Sequence, residues 1–191
     1  MTLAHTLAAC ALLAPAALFA QTRPRFELGV DAAIAYFNRG DIEVGDEEFD
    51  GGSGFRIFAP VDVRVGFLAP GPLTFEPRFS MNFVSQNDAG SNLNFSPTLN
   101  VLYQPGKTAL LQRGMYFTGG VGLAINRSNP DDDDLESSTA TQPSINVGLG
   151  TRNSITQAAF RPEAFLSHAF STDDQPSVTQ LGVRLGLSFW K

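Results

Sequence analysis

His168 is the natural starting point for any chemistry, because the chain has two histidines and the other, His5, sits in its first twenty residues. Ser167 and Ser171 lie beside it, with Glu163 upstream. A nucleophile, a base and a carboxylate are the ingredients of acyl transfer, but they act only within hydrogen-bond reach of one another. On an extended strand Ser167 and His168 point to opposite faces, so the spacing supplies no base–nucleophile pair. The favoured reading is a histidine with no catalytic task, and no catalytic residue is assigned. The acidic runs, Asp41 to Asp50 and Asp131 to Asp134 with Glu136, could offer oxygen ligands to Ca²⁺ or Mg²⁺. They lack the spaced ligands and turn glycine of a calcium loop. Blocks of like charge are usually solvated, so no metal site is assigned either. Cys10 is the only cysteine, which leaves no Cys-based metal site and no disulfide. No phosphate loop or cofactor motif is present, and no cofactor is expected.

The remaining charges follow another pattern. Most of the chain from residue 25 onward alternates with a period of two, the signature of β-strands. Phe26 to Tyr36, Phe55 to Phe67, Leu73 to Phe83 and Leu93 to Tyr103 form the first half of the series. Met115 to Asn126, Ile145 to Gly150, Phe160 to Phe170 and Gln180 to Phe189 complete it. One face of these eight strands is apolar. The other carries Gly, Ala, Ser and Asn with a balanced charge set: Glu27, Asp31, Asp62, Glu76 and Glu163 against Arg56, Arg64, Arg78, Arg152, Arg161 and Arg184. No strand contains a lysine. A face open to water would be rich in Lys and Glu, whereas buried charges are tolerable only when paired. The polar face is therefore expected to line a lumen, filled by a structural network of Glu27, Asp31, Arg56, Asp62, Arg64, Glu76, Arg78, Arg161, Glu163 and Arg184.

Three further features support an inverted barrel over a soluble one with its apolar face inward. The strands reach nine or ten residues, the length of a tilted bilayer span. Aromatic residues fall at both ends, with Tyr36, Phe55, Phe83, Phe95 and Phe170 near one rim and Phe67, Phe75, Tyr103, Phe117, Phe160 and Phe189 near the other, as girdles do in lipid-facing barrels. Long polar links, Asn38–Ser53 and Arg127–Gln142, alternate with tight turns such as Ala69-Pro70-Gly71-Pro72. The expected fold is an all-β, eight-stranded antiparallel up-and-down transmembrane β-barrel. Pro60, Pro77, Pro97 and Pro162 fall inside its strands, where each removes a ladder donor, so bulges or a broken ladder are expected there.

Residues 1–20 hold no Asp, Glu, Lys or Arg and are rich in Ala and Leu through Phe19. That run is too short for a spanning helix and reads as a signal peptide cleaved before Gln21, leaving residues 21–191 as one barrel domain. Formal net charge is −6, with the acidic residues gathered in the long links, which argues against a nucleic-acid partner.

The C-terminal Arg184-Leu185-Gly186-Leu187-Ser188-Phe189-Trp190-Lys191, together with the leader and the eight strands, resembles the small outer-membrane barrels of the OmpA-like and opacity-protein group. That resemblance implies an outer-membrane location with both termini periplasmic, and outer-membrane lipid as the surroundings. It also implies an assembly signal at Gly186, Phe189 and Trp190 read by the barrel-assembly machinery; Lys191 departs from the pattern, which commonly ends on the aromatic residue. It further implies a monomer with a structural or surface-interaction role. An ion- or ligand-passing barrel, a lipid-modifying enzyme and a soluble periplasmic ligand-binding barrel are the alternatives. Eight strands enclose an interior that side chains can fill, so a plugged lumen is expected.

Overall fold

The structure is a computed structural model that describes residues 25–44, 47–69, 71–86, 90–105, 114–129, 137–155, 158–172 and 175–190. The leader at residues 1–20 and the acidic run Asp131–Asp134 lie outside these residues. Eight long strands close on themselves: β1 (Arg25–Arg39), β4 (Ser53–Leu68), β5 (Leu73–Gln86), β6 (Gly90–Tyr103), β7 (Gly114–Asn129), β8 (Ser138–Ile155), β9 (Ala158–Ala169) and β10 (Val178–Trp190). Each pairs antiparallel with its sequence neighbour, and β1 joins β10 to seal the ring. Two short strands, β2 (Ile42–Val44) and β3 (Glu47–Phe49), form a separate hairpin between β1 and β4.

The alternation predicted from the sequence decides the faces. In β1, Phe26, Leu28, Val30, Ile34 and Tyr36 are exposed on the outside, while Glu27, Asp31, Ala33 and Ala35 are buried inside. In β10 the outer positions are Leu181, Val183, Leu185, Leu187 and Phe189, and the inner Ser188 is buried. Around the ring the exposed large side chains are almost all apolar, whereas the buried ones are mostly charged or polar. This is the inverse of a water-soluble barrel, and it places the apolar face where hydrocarbon would lie. Aromatic pairs brace the girdles: Phe26 meets Phe67 at 5.1 Å near one rim and Tyr36 meets Phe55 at 5.4 Å near the other, both edge to face.

Several strands overrun the bounds drawn from the sequence. β7 continues to Asn129 and β8 begins at Ser138, so the link between them spans only residues 130–137. The proposed link Asn38–Ser53 holds the β2–β3 hairpin, and β8 runs on as strand as far as Ile155. Alternating polarity marks only the half-apolar part of a strand. Above the apolar band both faces of β8 are polar, as in Ser138-Thr139-Ala140-Thr141-Gln142, and the period disappears while the ladder goes on.

Each of the four prolines that the sequence places inside strands is absorbed locally. At Pro77 the β5–β6 ladder is continuous, but the β4–β5 register skips from Arg64↔Arg78 to Phe67↔Phe75. At Pro97 the β5–β6 ladder is intact and the β6–β7 register skips from Phe95↔Ile125 to Thr98↔Gly122. At Pro162 the β9–β10 ladder is intact and the β8–β9 register skips from Gly150↔Glu163 to Asn153↔Phe160. A residue in an antiparallel strand bonds to one neighbour only, so a missing N–H opens one seam and spares the other. Pro60 sits in a bulge: between Asp31↔Asp62 and Ala33↔Phe58, β4 carries two more residues than β1. Two extra residues preserve the inside–outside parity, which a single one would reverse.

Candidate functional site

The lumen has two storeys. The lower one, level with the start of β1, the end of β10 and the short β4–β5 turn, is filled by charge. Glu76, with no exposed surface, accepts from Arg78 Nε at 2.7 Å and from Arg161 Nη1 at 2.7 Å, and lies 4.0 Å from Arg64 Nη1. Arg161 Nη1 also donates to Glu27 Oε1 at 3.0 Å, whose Oε2 accepts from Arg152 Nη2 at 2.5 Å. Arg64 Nε donates to Asp31 at 3.2 Å and its Nη2 to Ser188 Oγ at 2.7 Å. Arg78 forks onto Glu163 through two bonds of 2.9 Å, the bidentate geometry that makes arginine–carboxylate pairs strong. Glu163 also accepts from Tyr116 Oη at 2.9 Å and from Arg184 Nη1 at 2.5 Å, and Arg184 Nε approaches Asp62 at 3.3 Å.

These contacts join five acids and five arginines into one connected, formally neutral network. Two arginines also lie over aromatic faces, Arg161 over Tyr116 at 4.8 Å and Arg184 over Phe165 at 4.4 Å. Small residues make the space. A Cβ on Gly186 would run into the Asp31 carboxylate, and one on Gly29 would come within 2.5 Å of the Arg64 guanidinium carbon. Gly186 therefore has a packing task in the lumen, beside the assembly role that the C-terminal resemblance implies for it. Phe189 is exposed on the outer face, and of Trp190 the backbone alone is described.

Of the residues expected to line the lumen, nine are brought together: Glu27, Asp31, Asp62, Arg64, Glu76, Arg78, Arg161, Glu163 and Arg184. Arg152, also counted on the polar face, joins them. The side chain of Arg56 falls outside the described residues. Tyr116 was missed, although its position between the outward Met115 and Phe117 carries the signal. Gln142 falls at the end of the link that the sequence suggests, yet it is buried and donates to the Phe170 and Pro176 carbonyls at 3.0 and 2.8 Å.

The upper storey is a cup of about 670 Å³ that opens toward the loops. Its wall is largely uncharged and hydrogen-bonding, with Ser80, Asn82, Asn94, Thr98, Asn126, Ser144, Asn146 and Ser167 among the lining residues. Phe37 and Phe165 add apolar surface, Asp62, Arg78 and Arg184 form part of the floor, and Arg39 and Arg127 stand higher on the strands.

His168 is not part of this cup. Ser167 lines it, so the neighbouring His168 takes the outer face. There its Nδ1 lies 2.8 Å from Thr179 Oγ1 and its ring meets Phe170 edge to face at 4.9 Å. Glu163 is committed to arginines inside the barrel. Histidine, serine and carboxylate therefore do not converge. Among the described residues no group of His, Cys, Asp and Glu is placed to hold a metal ion. Asp41, in the first acidic run, accepts from the Gly51 amide at 2.7 Å and so serves its own loop.

No family model and no curated protein matches the chain. Solved structures do. Neisserial surface protein A matches with a TM-score of 0.58 at 15% identity, covering 86% of this chain and 96% of that one. The N-terminal β-barrel domain of Pseudomonas aeruginosa OprF matches at 0.48 and 14% identity, covering 84% and 97%. Ail, the attachment invasion locus protein of Yersinia pestis, matches at 0.45 and 15%, covering 85% and 98%. The match to the neisserial protein carries the comparison of fold. With its closed ring of eight antiparallel strands, apolar outside and charged within, this chain has the fold of the small OmpA-like outer-membrane barrels.

Proposed function

We propose that the chain is an integral outer-membrane protein with a structural or surface-interaction role, its lumen sealed at the lower storey by the ion network and its loops presented outward. The observation that carries this reading is the inversion of the barrel. A ring of exposed Leu, Val, Ile and Phe surrounds a neutral network of ten charges, nine of them buried. Such a surface has no stable place in water, and the paired charges that fill the lower half of the lumen support its being sealed there. Arg25 at the start of β1 and Trp190 at the end of β10 lie on the network side, which this reading assigns to the periplasm. Lipid is the partner of the outer face, the barrel-assembly machinery acts during insertion, and the barrel works as a monomer without catalytic activity.

The test is fractionation of cells expressing the full chain, followed by gel electrophoresis of the outer-membrane fraction with and without boiling. A heat-dependent shift in apparent mass is expected; a soluble periplasmic protein without a shift refutes the reading. In planar bilayers the protein should give no steady conductance, and stable channels in the unaltered barrel would show that the network does not seal it. A second reading, a barrel that holds a small ligand, is favoured by one observation: the polar cup above the network is open and of ligand size.

A further inference from the structure

The wall of the cup has an open seam. Among the described residues, β4 and β5 pair from Leu68↔Thr74 only as far as Val61↔Met81. Beyond that point Ser53 to Phe58 pair with β1 alone, and Asn82 to Gln86 pair with β6 alone. The bulge around Pro60 is the local cause. It gives β4 two residues with no counterpart in β1, and the strand then follows β1 and leaves β5. The adjoining β5–β6 ladder, by contrast, runs without a break to Gln86↔Gly90.

The two sides of this seam differ in chemistry. On the outside, Phe55 and Ile57 of β4 are the most exposed large apolar side chains of the described barrel, at 77% and 69%. On the inside, Ser80 and Asn82 of β5 belong to the cup, Asn82 being the first residue past the last β4–β5 pair. Sheet edges left unpaired are not tolerated against hydrocarbon unless a polar cavity or a polar group serves them. Here the cup lies directly behind them. Its charged floor residues are already engaged in the ion network and Arg39 and Arg127 stand exposed at its loop end, so around Asn82, Asn94, Asn126 and Asn146 the groups it has to offer are neutral amides and hydroxyls. These recognise a hydroxyl-rich, uncharged group, and about 670 Å³ is within the usual range for a small-molecule site.

We propose that the β4–β5 seam is a lateral entrance to the cup for an amphiphile with an uncharged, polyhydroxylated head. The head lodges among Asn82, Asn94, Asn126 and Asn146, and the chain leaves through the seam past Phe55 and Ile57 into the surrounding lipid. This deepens the ligand-holding reading above and rests on the barrel lying in a membrane.

The experiment uses the full-length barrel in phosphatidylcholine vesicles and a dodecyl maltoside carrying a photoreactive diazirine on its sugar, with labelled residues mapped by mass spectrometry. Label is expected on cup residues of β5, β6, β7 and β8. It should be displaced by unlabelled dodecyl maltoside and not by free maltose, because the chain contributes through the seam. Asn82→Trp, which fills the inner mouth of the seam, should lower cup labelling about tenfold, a loss of ~1.4 kcal/mol in occupancy. Ile57→Trp, which narrows the outer mouth of the seam, should do the same. Labelling that survives both closures, or that maltose displaces equally well, means entry through the loop mouth and overturns the lateral route. Absence of cup labelling in a barrel that still shifts on heating overturns the site while leaving the membrane reading intact. Loss of the heat shift in the unaltered protein removes that reading and the inference together.

Discussion

Glu76 occupies the centre of the lumen, touching Arg64, Arg78 and Arg161. A buried ion pair adds little over a well-packed apolar pair, but removing one partner leaves charge stranded. Glu76→Ala should therefore destabilise the barrel by about 3–5 kcal/mol, read as a lower midpoint in urea or heat titration of the gel shift. Adding Arg161→Leu to it should recover part of the loss, and full additivity of the two changes would contradict the linkage seen here. Gly186→Ala forces a methyl group against the Asp31 carboxylate and should cost about 1–3 kcal/mol as overpacking. The same measurement checks it, and a change confined to insertion yield would assign Gly186 to assembly alone. The composition of the network was legible in the sequence because inward positions are fixed by parity. Its partnerships were not. Glu27 on β1 and Arg161 on β9 are separated by β10 in the sheet and meet across the lumen, where strand tilt and side-chain length decide contact.

At the scale of the strand, the prolines mark where the ladder is thinnest, and three of them open one seam while sparing the other. Backbone amides that β5 directs at β4 between Asn82 and Gln86 should exchange with solvent deuterium faster than those it directs at β6. Equal protection on both sides would show the seam to be closed. The alternation in Phe26 to Tyr36 or Leu181 to Phe189 was readable because the outer neighbour of those stretches is uniformly apolar. Ser138 to Gln142 gave no such sign, since strand pairing there continues without an apolar side. The β2–β3 hairpin was hidden because it is short and its Glu47 and Glu48 read as loop.

The whole molecule is a thin apolar sleeve around a charged core, and its stability should respond to the depth of a substitution more than to its size. Leu185, midway along β10 and facing outward, sits where an added arginine should cost about 2–4 kcal/mol in a bilayer. Leu185→Arg should lower the unfolding midpoint accordingly, while Thr139→Arg, above the apolar band, should leave it nearly unchanged. Equal effects at the two positions would argue against a membrane-spanning belt.

The network also bears on how such a chain could enter a bilayer. Its links join residues far apart in sequence, Glu27 to Arg152 and Arg161, and Arg64 to Ser188. No early partial sheet can satisfy them, because the first strand supplies a carboxylate whose partners arrive with β8 and β9. A half-inserted intermediate would carry bare charges in oil, so translocation and ring closure are expected to occur as a single concerted event with no populated, partly inserted species.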